Sequence, residues 1–426
     1  MSKGLPFDWL NTIARKRTRE IKDAGLCRKF ELVERSSPGR YFFDSSGSPV
    51  ISFCSNDYLS LSAHSKVIAA AREALVTNGV GTCGSRNIGG TNVDHVELEK
   101  CLASVHRRES ALLFSSGFIA NFAAVVSLIE EFGRAQEGIT FVSDRLNHAS
   151  LIDGMRLGAG LAAGSGSPGF VEVKVFEHND VASCKLAIEE AKFGRKVVIA
   201  ESIYSMEGDR SPIAELASIS RSAGALFLLN EVHAVGVFGR GGGLAVELPS
   251  AHGPDLVVGS LSKAFGSFGG YLAGDAEVID WLRLVSRFFI FTSTLPVSVA
   301  RAARAAVEIA CEEDDLRHEL FERVSYLRRS LAAQGILALG DSHIVPVVVS
   351  SVAWPHERAI GTCEALSRSL LSSGFYATTM KYPTVPLGMP RLRLSVTPLH
   401  EKREIDEFVS ALSNFWGALG IERVSA

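Results

Sequence analysis

From residue 111 onward the chain repeats one unit. A short apolar run leads into a turn, most often through Gly, Ser or Asn, and then into a helical stretch. The apolar runs are residues 111–114, 140–142, 171–175, 196–200, 225–229 and 256–258. Each has the length of a strand buried on both faces, and such strands need helices on both sides. The alternation predicts an α/β architecture with a mostly parallel central sheet. In open parallel sheets ligands sit at the carboxyl ends of the strands, so the turns after these runs are the places to look for chemistry.

The pattern has edges. Residues 1–50 read as a polar helix and a linker punctuated by Pro38 and Gly39, and residues 51–295 as the large domain. The character changes near Pro296: residues 298–332 are helical and 344–349 are β-type. Ile405, Phe408, Val409, Leu412, Phe415, Trp416 and Leu419 then form one apolar helix stripe. Residues 296–426 are expected to form a smaller C-terminal α+β domain. A chain of 426 residues is long enough for two packed domains. Residues 158–169, rich in Gly, Ala and Ser, read as a mobile surface loop, and residues 239–243 (GRGGG) as a flexible connection.

The net charge of -3 offers no overall basic field to nucleic acid or an anionic membrane. The basic cluster at 15–19 reads as a solvated helix face. No apolar run approaches the ~20 residues that span a bilayer, and the N-terminus lacks the apolar region of a secretory signal. The seven cysteines are scattered, with no CxxC pair, which suggests neither a zinc ribbon nor a redox dithiol. No metal is expected. Reduced thiols fit a cytoplasmic enzyme or binding protein.

Four segments could carry chemistry. In residues 257–271 (VVGSLSKAFGSFGGY) Lys263 follows a buried strand among small and apolar residues. Burying an ammonium is costly and lowers its pKa, which is what an imine-forming lysine requires. Most lysines are merely exposed, and that reading stands beside this one. Residues 230–236 (NEVHAVG) follow a strand and are either functional or a capped turn with a structural histidine. Residues 114–121 (FSSGFIAN) are a strand, a turn and a helix start; they could seat a phosphate or simply cap the helix. Residues 79–91 (GVGTCGSRNIGGT) form a glycine-rich loop that matches no dinucleotide fingerprint.

Together these segments resemble the α-oxoamine synthases. The likeness runs from about residue 25 to 415. It includes SNDYL (55–59), FSSGF, NHAS (147–150), HND (178–180), ESIYSMEGD (201–209), EVHAVG, SLSKAFG and RLRL (391–394). It implies a fold-type I enzyme with pyridoxal 5'-phosphate and a homodimer with sites shared between subunits. The implied reaction joins an amino acid to an acyl-CoA with loss of CoA and carbon dioxide. Lys263 would hold the cofactor and move the α-proton. His148 would stack on the pyridine ring, and His233 and Ser205 would lie near its hydroxyl. Ser116, Gly117, Phe118 and Ser260 would seat the phosphate, with Thr292 and Ser293 reaching the neighbouring subunit's phosphate. Arg393 would hold the amino acid carboxylate.

Within the family, SRNIGGT, EVHAVG, FTSTLP, SHIVP and YPTVP look most like the 5-aminolevulinate synthase branch, which uses glycine and succinyl-CoA. Arg28, Asn56, Ser85, Asn87, Ile88 and Thr384 complete the expected substrate-binding set, with Arg28 and Asn87 facing the succinyl carboxylate. Two departures stand out. Ser85 replaces the usual threonine, which would admit a larger amino acid such as serine or alanine. Asn230 replaces the aspartate that pairs with the pyridine nitrogen, and Glu231 next door should point to the opposite face of the strand. A sister synthase with another amino acid or acyl-CoA, and a weakly active or inactive cofactor-binding paralogue, are the alternative expectations.

Overall fold

The structure, a computed structural model, describes residues 8–27, 32, 34–35, 41–43, 47, 49–135, 137–164, 169–249, 252–351 and 354–423. Its strands in chain order are β1 Glu34–Arg35, β2 Tyr41–Phe43, β3 Pro49–Ser52, β4 Ser110–Phe114, β5 Ile139–Asp144, β6 Val171–Phe176, β7 Arg195–Glu201, β8 Leu226–Asn230, β9 Leu256–Ser260, β10 Gly270–Gly274, β11 Val345–Val348, β12 Phe375–Tyr376, β13 Thr379–Met380 and β14 Arg391–Leu394. Seven of them form the central sheet in the order β4-β10-β9-β8-β7-β5-β6. β5 to β9 run parallel, as the repeating unit predicts.

β10 was not anticipated. It inserts antiparallel between β9 and β4, with Tyr271 opposite Gly259 and Leu113. Its sequence, GYLAG, has no β-branched residue and a glycine at each end, so only Tyr271 favours a strand there and the signal is weak. All five residues are buried, and packing decides the matter.

Strand side chains alternate between two apolar layers. On β7, Val198 and Ala200 enter one core, and Val197 and Ile199 the other. The helix Gly117–Arg134 lies over β9 and β10 and against the helix Ala149–Gly164. That second helix corrects the loop reading of residues 158–169: it continues through Gly158 to Gly164, and residues 165–168 lie outside the described set. A Cβ on Gly158 would sit 2.4 Å from Ile129 Cδ1, so its glycine permits close helix approach rather than disorder.

Residues 239–243 also depart from expectation, for they are pinned. Glu231 is buried and its Oε1 accepts N–H bonds from Leu244 (2.7 Å) and Ala245 (3.0 Å). Gly243 has φ +84, and a Cβ there would lie 2.3 Å from Glu231 Oε2. Gly243→Ala should therefore destabilise the fold by about 2–4 kcal/mol, from left-handed strain plus overpacking. The check is a lower urea midpoint at unchanged slope.

The helical stretch 298–332 is two helices, Val297–Glu312 and Asp314–Ala333, broken at Glu313 with ψ 85. Asp314 and Asp315 then open the second helix, where acidic side chains suit the N-terminal dipole. The first helix packs on helices Ser65–Asn78 and Val93–Val105. A small antiparallel sheet, β11-β14-β13, follows, and the C-terminal stripe buries Ile405, Phe408, Val409, Leu412 and Trp416. β3 and β12 pair, and Phe53 stacks on Phe408 at 3.9 Å, joining the chain's two ends. Among the described residues, no helix is long and apolar enough to cross a membrane.

Candidate active site

Three neighbouring strands end side by side. Glu201 of β7 pairs with Asn230 of β8, which pairs with Val258 of β9. Lys263 lies three residues beyond the end of β9, in a turn held by Ser260 Oγ, which accepts the Ser262 N–H at 3.2 Å. Its ammonium has no hydrogen-bond or ion-pair partner among the described residues. Burial, and then the Arg393 guanidinium, lower its pKa from 10.5 to about 8. The amine is the nucleophilic form, so a pH consequence follows. Cofactor-free protein should bind an aldehyde at Lys263 with a rate that rises as pH passes about 8, rather than 10.5. Absorbance of the bound aldehyde against pH measures this.

Asn230 is buried, and its Oδ1 accepts the Val232 N–H at 3.0 Å. Because that donor can only meet the oxygen, the amide orientation is fixed and the Nδ2 hydrogens face the other way. Asn230 continues the parity of Leu226 and Leu228, on the side of the helix Gly117–Arg134. Glu231 turns to the opposite side, as the alternation requires. Burial pushes its carboxyl up to about 7, against the lowering effect of its two backbone donors.

Arg393 is buried at the centre of a polar cluster. Its Nε donates to Ser205 O (2.6 Å), Nη1 to Asn56 Oδ1 (2.9 Å) and Nη2 to Tyr58 OH (2.8 Å). These bonds occupy three of the five N–H groups of the guanidinium. Tyr58 OH also lies 2.8 Å from His233 Nδ1. His233 is held neutral by burial and by the nearby charges of Lys263 and Arg393, which lower its pKa well below the usual range.

His148 donates its backbone N–H to the Glu201 carboxyl. Its Nδ1 receives the Ser150 backbone N–H at 3.2 Å, so Nδ1 is an acceptor and the ring proton sits on Nε2. Ser150 Oγ, 2.8 Å from the same nitrogen, is in turn held by Asn121 Nδ2 at 2.9 Å. Burial, then Lys263, lower the His148 pKa and favour this neutral form. The Phe118 ring stands edge-on to it at 6.2 Å.

Ser116 caps the helix Gly117–Arg134, its Oγ accepting the Ile119 N–H at 3.2 Å. A Cβ on Gly117 would lie 3.2 Å from Ser260 Cβ, so helix start and β9 turn meet closely. Free amides at a helix N-terminus beside serine hydroxyls suit a phosphate.

The remaining sequence candidates lie elsewhere. Ser85, Asn87 and Ile88 are on the turn around 86–90, next to Thr292 and Ser293: Thr294 N donates to Gly84 O at 3.2 Å. Asn87, Ile88 and Ser293 are exposed, and none of the five bonds to the Lys263 cluster among the described residues. Thr384 donates its N–H to Lys381 O at 2.9 Å, in the turn that follows β13. Arg28 lies outside the described residues. Tyr58, Glu201 and Ser150 were not singled out from sequence, though each sits in a quoted motif. Their signal was position: Glu201 is a carboxylate at the last residue of a buried strand.

The model for the family "Aminotransferase class I and II" matches residues 48–412. The chain belongs to the class I and II aminotransferase family. Two curated relatives of this aminotransferase-family chain are 5-aminolevulinate synthases. That of Rickettsia conorii is 35% identical over 423 residues, covering 99% of this chain and 97% of its own. That of Rhizobium meliloti is 39% identical over 379 residues, covering 88% of each. Among solved structures, Sphingomonas wittichii serine palmitoyltransferase superposes with a TM-score of 0.84 at 27% identity, over 98% of this chain and 100% of that one. A structure of "SPT with PLP internal aldimine" gives 0.84 at 26% identity, over 98% and 100%. The fold-type I architecture and the α-oxoamine synthase likeness read from the motifs both hold.

Proposed function

We propose that this protein is a pyridoxal-phosphate transferase that condenses glycine with succinyl-CoA, releasing CoA and carbon dioxide to give 5-aminolevulinate. The observation that carries the reading is Lys263: partly buried, without a partner among the described residues, held near pKa 8 and close enough to His148 and His233 for its charge to lower both of their pKa values. Nearly full-length likeness to proteins named 5-aminolevulinate synthase supports the substrate pair.

The residues present fit the cofactor. Lys263 would bond its carbonyl carbon, and the start of the helix Gly117–Arg134 with Ser116 and Ser260 would take its phosphate. His148 would lie against the ring, with His233 and Ser205 at the hydroxyl edge. Pyridoxal phosphate supplies a ring that takes up the electron pair left when the amino acid's α-proton departs. Lys263 Nζ, released as an amine, is the base for that proton. The two unused N–H groups of Arg393 can hold the substrate carboxylate as a fork. Neutral His148 presents a donor at Nε2, not a base. Exposed Asn87, Ile88 and Ser293, with half-buried Ser85 and Thr292 beside them, suit contribution to the site of a second copy of this chain, which makes a cytoplasmic homodimer the working form.

The likeness to serine palmitoyltransferase structures favours a second reading, with serine and a longer acyl-CoA. Loaded enzyme should be given glycine or serine with succinyl-CoA or palmitoyl-CoA, and the products weighed. Aminolevulinate as the major product supports the first reading; a long-chain amino ketone from serine replaces it.

A further inference from the structure

We propose that Lys381 is a positioning residue for the acyl donor, holding the backbone at Gly25 and Cys27 against the Thr384 turn. The proposal rests on the condensation reading above. Lys381 follows β13, which pairs with β14 in the register Thr379 to Leu392 and Met380 to Arg391. It therefore leaves the sheet beside the strand that carries Arg393. Its side chain is only 5% exposed. Its ammonium donates to Gly25 O (2.9 Å), Cys27 O (2.8 Å) and Glu364 Oε1 (2.5 Å). All three N–H groups of the ammonium are thus used.

Two of those acceptors belong to a segment more than three hundred residues earlier in the chain. The local bonds of that segment, Gly25 N to Lys22 O and Leu26 N to Ile21 O, end the preceding helix but do not tie it to the small domain. Lys381 makes that tie. Its own carbonyl accepts the Thr384 N–H at 2.9 Å, so one residue fixes both the early segment and the turn. Cys27 directly precedes Arg28 in sequence.

These groups border a cavity of about 280 Å³ lined by Cys27, Tyr376, Thr378, Lys381 and Thr384, among others. The cavity adjoins the amino acid end of the site. Thr378 hydrogen-bonds Cys54, two residues before Asn56, and Asn56 Oδ1 accepts from Arg393. Arg393 has its own supports in Asn56, Tyr58 and Ser205, distinct from the hydrogen-bond partners of Lys381. Loss of the Lys381 ammonium should consequently loosen the acyl side and leave the amino acid side in place. Two carbonyls and a carboxylate that share one cation lose their common tether when it is removed.

The test compares Lys381→Met, Lys381→Arg and Lys381→Met/Glu364→Gln with the unaltered holoenzyme. The double variant removes the carboxylate left unpaired. Steady-state KM is measured for glycine, succinyl-CoA and butyryl-CoA, which has a neutral acyl end of the same length. The expected result is an acyl-donor KM raised about tenfold or more in both Met variants. Glycine KM and the visible cofactor absorbance should not move, and Lys381→Arg should recover part of the loss. An unchanged acyl-donor KM, or a glycine KM rising in step with it, overturns the proposal. Failure of both Met variants to fold makes Lys381 a fold-holding residue and overturns it equally. If the unaltered enzyme does not prefer succinyl-CoA, the substrate reading fails instead, and the Lys381 comparison is read on butyryl-CoA.

Discussion

Lys263→Ala should lower turnover by about 10²–10⁴-fold at saturating substrate, the range expected when a positioned proton carrier is removed. The deficit should persist across pH, because the variant has no amine at this position to be deprotonated. Helix Gly117–Arg134, Ser260 and His148 stay intact in this variant, so cofactor should still bind, without a covalent link. Borohydride followed by peptide mapping separates the cases: the unaltered protein should carry its label on Lys263 and the variant should carry none. A small primary amine in the buffer should restore part of the rate. Label on a different lysine, or a rate within tenfold of the original, would remove Lys263 from the chemistry.

Asn230→Asp is the second large effect, in the opposite direction. The amide oxygen of Asn230 already takes the Val232 N–H, so the aspartate variant keeps that bond and the fold. What changes is the other terminus, from an N–H donor to a carboxylate oxygen. A donor pairs with an unprotonated ring nitrogen, whereas a carboxylate stabilises a protonated one, which draws electrons better. The variant should exchange the α-proton of bound glycine about ten- to a hundredfold faster, each decade being about 1.36 kcal/mol of barrier. Proton exchange by NMR in heavy water reads this directly, and ring nitrogen chemical shifts read the protonation. Equal exchange rates would show that another group protonates the ring.

Much of this was legible before any coordinates. The parallel strands announced themselves because each is a short apolar run with a turn behind it, and Lys263 because it follows one. The opposed directions of Asn230 and Glu231 came from strand alternation alone. β10 stayed hidden because GYLAG is short, has glycine at both ends and holds a single β-favouring residue, Tyr271. The helix through Gly158 was misread because composition cannot tell glycine that loosens a loop from glycine that lets Ile129 approach. Residues 239–243 looked flexible for the same reason, since only the fold brings Glu231 beneath them. Arg393 stands out in the RLRL motif, but its three supports span residues 56 to 205. Such long-range partners leave no periodic trace.

The position of β10 bears on the order in which the molecule is made. Among the described residues, β4 at the sheet's edge pairs with β10 and with no other strand. A ribosome that has just released β4 must add about 160 more residues before its partner exists, roughly 8–30 s at ordinary elongation rates. During that interval β5 to β9 can assemble in sequence, while β4 and the Ser116 turn behind it wait with an unpaired edge. A Cβ on Gly270 would lie 2.3 Å from Gly117 N, so the arrival of β10 also sets the helix start in place. The proposed phosphate seat is thus finished late in synthesis, and nascent chains that have emerged from the ribosome as far as Lys263 but not as far as β10 should capture no cofactor.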